Sequence, residues 1–325
     1  KSVTGSSLEL LLSLLTKPSA DENGFSPEQL STEIRLTAED IESEINDKRS
    51  YAMTRMLETM CADEIYGLTK NEILENVKKV TPQSLLAAWK FMLKNGIIQL
   101  NAIGNISEDD CKKKLREAFS DVGERTPYEP ETVFVEEAED LTELTEELTM
   151  NQSKLVLGFR GGMTDENDDF YSRRIMTDVF GGGPYSRLFM NVREKLSLCY
   201  YCSARLIRGK GIIVIQSGIE KENRQKVLDE INRQLDIMKN GEFSDEDFEA
   251  SKKAICDAYR SFNDTPDALD IYYGTQLTGD IVTPDEAIEN FLAVTRDDVK
   301  KTACALSLDT VYMLAGTDKE DGADE

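Results

Sequence analysis

A chain of 325 residues, 40% hydrophobic and 31% charged, has the balance of a folded protein long enough for two domains and a sizeable core. Its formal net charge of −24 argues against nucleic acid and anionic membrane as partners, because both demand clustered surface cations. The absence of histidine excludes Ser-His-Asp and Cys-His catalysis, and histidine-built zinc sites, from these residues.

At the front, the Leu-rich segment Ser6 to Thr16 is short and amphipathic, so it reads as a helix and not as a membrane span. No secretion signal is recognisable, and six cysteines (Cys61, Cys111, Cys199, Cys202, Cys256 and Cys304) are too sparse for a disulfide scaffold. A cytoplasmic location is expected. Ser26-Pro27-Glu28 opens a helical pattern running past Met56 with a break near Asn46-Asp47. Thr81-Pro82 opens a helix that stops at Asn95-Gly96, Ile97 to Ile103 alternates as a strand, and Ser107 caps a helix to about Phe119.

Residues 121–149 hold Pro127, Pro130 and eleven acidic residues and read as a connector. Beyond it, Lys154 to Arg160 is a predicted strand, Asp168 to Phe180 and Tyr185 to Lys195 are predicted helices, and Leu198 to Ile207 pairs with Gly211 to Ile219. Asn223 to Lys239 is helical, Ser244 and Asp247 suit a capping box, and Phe243 and Phe248 suit a hydrophobic staple. Thr283-Pro284 and Thr295-Arg296 open two further helices, Thr310 to Ala315 is a last strand, and the acidic residues 318–325 read as a solvated tail.

The pattern repeats. Phe25-Ser26-Pro27-Glu28 returns as Phe243-Ser244-Asp245-Glu246, Asn46-Asp47 as Asn263-Asp264, Val80-Thr81 as Val294-Thr295, and Ala102-Ile103-Gly104 as Ala315-Gly316. Ser26 and Ser244 are 218 positions apart, and the other matches keep nearly that offset. The second copy has about 90 residues before its Ser cap and the first only 25, so the elements of residues 154–221 have no counterpart at the front. A sheet lacking them would expose unpaired edges.

Three motifs could carry function. Gly181-Gly182-Gly183 follows a helix and lacks the spacing of a phosphate loop, which leaves a tight break between helices or a loop shaped for close ligand approach. Cys199 and Cys202 lack a second pair for zinc and a helix start for redox chemistry, so buried strand cysteines on opposite faces are expected. Arg193 and Tyr200, seven apart across a helix–strand turn, are either a surface arginine with a half-buried tyrosine or a guanidinium and phenol offered to peptide carbonyls. No catalytic constellation stands out among the carboxylates.

GGGPYSRLFMNVREKLSLCYYCSA, from Gly181, resembles the second-half signature of the pitrilysin/insulinase zinc peptidases, which include the mitochondrial processing peptidases and the complex III core proteins. Asn46 to Gly67 further resembles a bacterial non-catalytic branch that is paired with a catalytic relative. The resemblance implies an α+β fold of two homologous rolls, each an antiparallel sheet backed by helices. The implied domains are the C-terminal part of a first roll at 1–120, a linker at 121–149, a second, inactive-type roll at 150–317 and the tail at 318–325. It further implies that Arg193 and Tyr200 bind substrate peptide, and that zinc belongs to a catalytic partner or to a segment outside these residues. Asp40 stands at the distal ligand position, one methylene shorter than the glutamate of active members. The expected function is therefore a non-catalytic subunit that encloses peptide as a homo- or heterodimer with a homologous peptidase subunit. The alternatives are a fragment of a catalytic zinc endopeptidase and a scaffold resembling the complex III core proteins.

Overall fold

Helices begin where side chains can satisfy the free N–H groups of a first turn. Thr81 and Thr295 each accept from the backbone N–H three residues on, at 3.1 and 3.3 Å, while Ser84 and Asp298 accept from the threonine N–H groups at 2.9 Å. Ser244 accepts from Asp247 N at 3.0 Å, and the Phe243 and Phe248 rings sit 6.3 Å apart as the expected staple. Thr295→Ala is expected to lower the unfolding free energy by about 1 kcal/mol in urea titration. The Thr295 hydroxyl and N–H also hold the Asp298 carboxyl below its ordinary value. That contribution is present above the unfolded pKa of about 3.9 and is lost as pH falls through the depressed folded one.

The computed structural model describes residues 3–129, 131, 133–161, 169–277 and 281–317. The chain runs α1 (Val3–Thr16), a short hairpin β1 (Ala20–Asp21) and β2 (Gly24–Phe25), α2 (Pro27–Ser43), a 3₁₀ turn (Glu44–Asn46), α3 (Lys48–Met60), α4 (Lys70–Val77), α5 (Pro82–Asn95) and α6 (Glu108–Ala118). Next come β3 (Thr142–Thr149), β4 (Ser153–Arg160), α7 (Phe170–Gly181), a π-helical turn (Phe189–Lys195), β5 (Cys199–Ile207) and β6 (Ile212–Ile219). The last elements are α8 (Arg224–Asn240), α9 (Asp245–Ser261), a 3₁₀ turn (Phe262–Asp264), α10 (Pro266–Gly274), α11 (Pro284–Ala293), α12 (Arg296–Cys304) and β7 (Ser307–Thr317). The expected tail at 318–325 lies outside the described residues. Among the described residues no helix is long and apolar enough to cross a membrane.

The repeat is visible element by element. α2 and α9 are both 17 residues long, each leads into a three-residue 3₁₀ turn, and α3 and α10 follow. Yet the copies do not fold as consecutive blocks. One unit gathers the chain up to Glu42, Lys70–Glu131 and Arg260–Pro284; the other gathers Ser43–Thr69, Thr132–Tyr259 and the chain from Asp285 on. These boundaries differ from the expected division at 121–149, because α3 and α10 each pack in the unit built mainly by the other copy.

In the second unit a five-stranded sheet has the order β3-β7-β4-β6-β5, antiparallel except for the parallel β3/β7 pair. β4 is buried almost throughout, as a central strand covered on both faces should be. α3 covers one face: Ala52, Met56 and Met60 interlock with Val156, Ile212, Val214, Tyr312 and Leu314. Full burial of a side chain such as Met56 contributes about 1.5–3 kcal/mol. α7 lies against β5 and α12, and α12 also packs on α8.

Two strand expectations differ from the structure. Thr142–Thr149, placed in the acidic connector, is strand β3, because Leu144 and Leu148 pack onto the α3 cluster while Glu146 between them accepts from Arg55 Nε at 2.9 Å and Tyr51 Oη at 3.0 Å. Ile97 to Ile103, expected as a strand, takes no strand conformation. Its counterpart β7 pairs with both β3 and β4, whereas the first unit supplies this segment with no neighbouring strand among the described residues. Side chains take over instead: Gln99 Nε2 donates to Tyr273 O at 3.0 Å and Asn101 Nδ2 to Asp270 Oδ1 at 3.2 Å, both on α10.

Candidate functional site

The glycine triplet ends α7. None of its members lies in the left-handed region, so close packing and not turn geometry explains them. A Cβ on Gly181 would stand 2.5 Å from Ala204 N and 2.7 Å from Ala204 Cβ on β5; only glycine lets helix and strand meet so closely. Gly182 lies against Asp178, and Gly183 against the Tyr185 ring. The Tyr185 hydroxyl donates to Asp178 Oδ2 at 2.7 Å, and burial together with that carboxylate pushes the phenol upward. The triplet therefore fixes where the following segment starts.

That segment is not the regular helix expected over Tyr185 to Lys195. Helical turns begin at Arg187 and widen into the π-helical Phe189–Lys195, where Leu196 N donates to Asn191 O at 3.2 Å and Leu198 N to Val192 O at 3.0 Å. Single π turns inside helices are enriched at functional sites. Ser197 follows at φ +50°, a left-handed conformation that few non-glycine residues adopt. β5 then opens with a bulge: Cys199 pairs with Ile219 and Tyr201 with Gly218, leaving Tyr200 as the extra residue. A bulge re-aims the side chain it carries.

The π turn and the bulge bring Arg193 and Tyr200 onto one open cavity of about 450 Å³, lined also by Ser197, Glu220 and Asn223. The Tyr200 side chain is 57% exposed, and its hydroxyl donates to Glu220 Oε1 at 2.5 Å. That hydrogen bond and the Glu220 charge raise the phenol above its ordinary value, so it remains a donor at neutral pH. The Arg193 guanidinium stacks 4.6 Å over the Phe189 ring and lies 3.6 Å from the Glu194 carboxylate. The cavity thus presents a fork of N–H donors, a phenol and a carboxylate acceptor within one wall. Glu220 and Ser197 escaped sequence reasoning; one is a single carboxylate after a strand, and the other owes its place to a backbone angle no local motif announces.

Cys199 and Cys202 are both buried, as expected, but on the same face. The extra residue in the bulge cancels the odd spacing: their β6 partners, Ile219 and Ser217, are two residues apart. Asp40 lies on α2, exposed, in the other unit. Among the described residues no group of three or more His, Cys, Asp or Glu side chains is arranged to hold a metal ion.

Comparison with known proteins agrees with this architecture. Residues 79–255 match the family described as "Peptidase M16 inactive domain". The chain is 30% identical over 315 residues to the "Probable inactive metalloprotease YmfF" of Bacillus subtilis (strain 168), covering 96% of this chain and 73% of that protein. Among solved structures it is similar to a conserved protein from Enterococcus faecalis V583, with TM-score 0.84, 24% identity, and coverage of 99% of this chain and 76% of that one. It is similar also to a peptidase M16 inactive domain from Pseudomonas fluorescens, with TM-score 0.74, 15% identity, and coverage of 96% and 76%. With an inactive-domain match spanning the glycine triplet, the π turn and the bulge, and a relative aligned along nearly the whole chain, this protein belongs to the M16 peptidase family as a homologue of its inactive metalloproteases.

Proposed function

We propose that the chain is a non-catalytic, peptide-binding subunit that holds substrate for a homologous, zinc-bearing peptidase, as one half of a cytoplasmic dimer. The observation that carries this reading is the convergence of Arg193, Tyr200 and Glu220 on one open cavity. A peptide group offers one carbonyl and one N–H. Arg193 and Tyr200 donate to carbonyl oxygens, and Glu220 accepts from an N–H once the phenol turns toward the bound chain. Family membership supports the peptidase context, and the donor set without zinc ligands fits a holding role.

The test is fluorescence anisotropy of a labelled unfolded peptide with the full-length protein. Each hydrogen bond is worth about 0.5–1.5 kcal/mol net, so Arg193→Ala combined with Tyr200→Phe should weaken binding about tenfold. Equal affinity for the double variant and the parent sinks the holding role. Adding the candidate catalytic partner should raise cleavage of the same peptide, with less gain from the variant. Stoichiometric zinc in the full-length protein alone would favour a catalytic endopeptidase, and no peptide binding even with the partner present would favour a scaffold.

A further inference from the structure

The C-x-x-C of β5 supplies none of the hydrogen-bonding groups proposed to hold peptide, yet its geometry is unusual for a strand. In a regular strand three residues separate the thiols by about 10 Å and place them on opposite faces. Here the bulge at Tyr200 shortens the interval to two β6 residues, about 7 Å along the sheet, near the outer limit of the Cα separation a disulfide spans. Ser217, the β6 partner of Cys202, donates its hydroxyl to Tyr201 O at 2.9 Å. The two cysteines differ in access: Cys199, 9% exposed, lines the open cavity with Arg193, whereas Cys202, 3% exposed, is not among the lining residues.

We infer that Cys199 and Cys202 form a redox-reactive dithiol in which Cys199 is the oxidisable thiol and Cys202 the resolving one, with hydroperoxide as oxidant. In the first step the Cys199 sulfur attacks the terminal peroxide oxygen, the O–O bond breaks, and water or alcohol leaves with the thiol proton; Cys199 becomes a sulfenic acid. In the second, the Cys202 sulfur attacks that sulfur, the S–OH bond breaks, and water leaves as the disulfide forms. Peroxide is reduced by two electrons and the dithiol oxidised by two. The polarity of the pair agrees with this order. The Cys202 thiol, burial notwithstanding, holds the Cys199 thiol below its ordinary value with help from Ser217 and the Arg193 charge, while Cys202 is raised by Cys199 and by burial. Nucleophilic attack uses the thiolate. Cys61 provides the inert comparison, pushed up to about 11 by burial and the nearby Glu64 charge.

The test reads covalent mass and needs no peptide, so it stands or falls separately from the holding role. The full chain is treated with limiting hydrogen peroxide, unfolded, alkylated and mapped without reduction. Cys199 and Cys202 should lose alkylation together, several-fold faster than Cys61 or Cys111, appear as one cross-linked peptide and recover with dithiothreitol. In Cys202→Ser, dimedone should trap Cys199 as a sulfenic acid; in Cys199→Ser, Cys202 should stay alkylatable. Oxidation of the pair no faster than Cys61, or dimedone capture at Cys202 in the Cys199→Ser variant, would overturn the assignment.

Discussion

Glu64→Ala should cost about 3–5 kcal/mol of stability, read as a lowered urea midpoint with an unchanged m-value. Glu64 follows α3, and its side chain is only 5% exposed. Its carboxylate meets Arg160 Nη1 at 3.0 Å and is bridged on its other oxygen by Lys210 Nζ. Arg160 also engages Asp309 Oδ2 at 2.9 Å and donates to the Met60 carbonyl at 2.6 Å, which closes the last turn of α3. Both cations are nearly as buried as the acid, 4% and 6% exposed. Removing the acid leaves buried Arg160 with the Asp309 carboxylate and the Met60 carbonyl, and buried Lys210 with the Val133 carbonyl, so the desolvation already incurred is no longer fully offset. Burial pushes the Glu64 carboxyl up, but Lys210 and Arg160 outweigh it and hold it below its ordinary value. Its contribution is therefore complete above the unfolded pKa of about 4.3 and fades as pH falls through the lower folded one. The loss caused by Glu64→Ala should shrink accordingly in acid. Replacing Glu64, Arg160, Lys210 and Asp309 together with apolar residues of similar volume should recover much of the loss; if it deepens the loss instead, the ion network contributes more than its desolvation costs.

The second large effect is expected at Gly181→Val, about 2–4 kcal/mol in the same titration. The obstructing atoms at 2.5 and 2.7 Å belong to the backbone and Cβ of Ala204, which no rotamer can move aside, so α7 must shift off β5. The shift carries with it the segment that positions Arg193, so peptide affinity should fall along with stability. Gly209→Ala is the matched control: a Cβ there meets no atom within 4 Å, and the change should be neutral within about 0.5 kcal/mol. Equal stability of Gly181→Val and the parent would show that the helix and strand have slack the geometry does not reveal.

Capping chemistry, the apolar runs of β4 and β6, and the repeat were legible in the sequence because each is local or self-comparing: Thr81, Ser244 and Thr295 announce their own helix starts. Arg193 and Tyr200 were legible as a pair, through spacing and resemblance. What failed depends on the rest of the chain. Ile97 to Ile103 has strand alternation, yet a strand is a property of its neighbours. Thr142–Thr149 looks like charged connector until Arg55 and Tyr51 arrive from α3 to satisfy Glu146. The cysteine faces were inverted by one inserted residue, and Glu64 was indistinguishable among 62 acidic residues until folding buried it between two cations.

The place of β7 in the sheet has a consequence for biogenesis. This strand lies between β3 and β4, which are not neighbours in the sheet, and it is the last strand among the described residues. At translation rates of about 5–20 residues per second, roughly 10–30 s separate emergence of Thr142 from emergence of Ser307. Throughout that interval the nascent polypeptide displays one edge of β4 without its later neighbour, an unpaired edge that favours aggregation until β7 has been made.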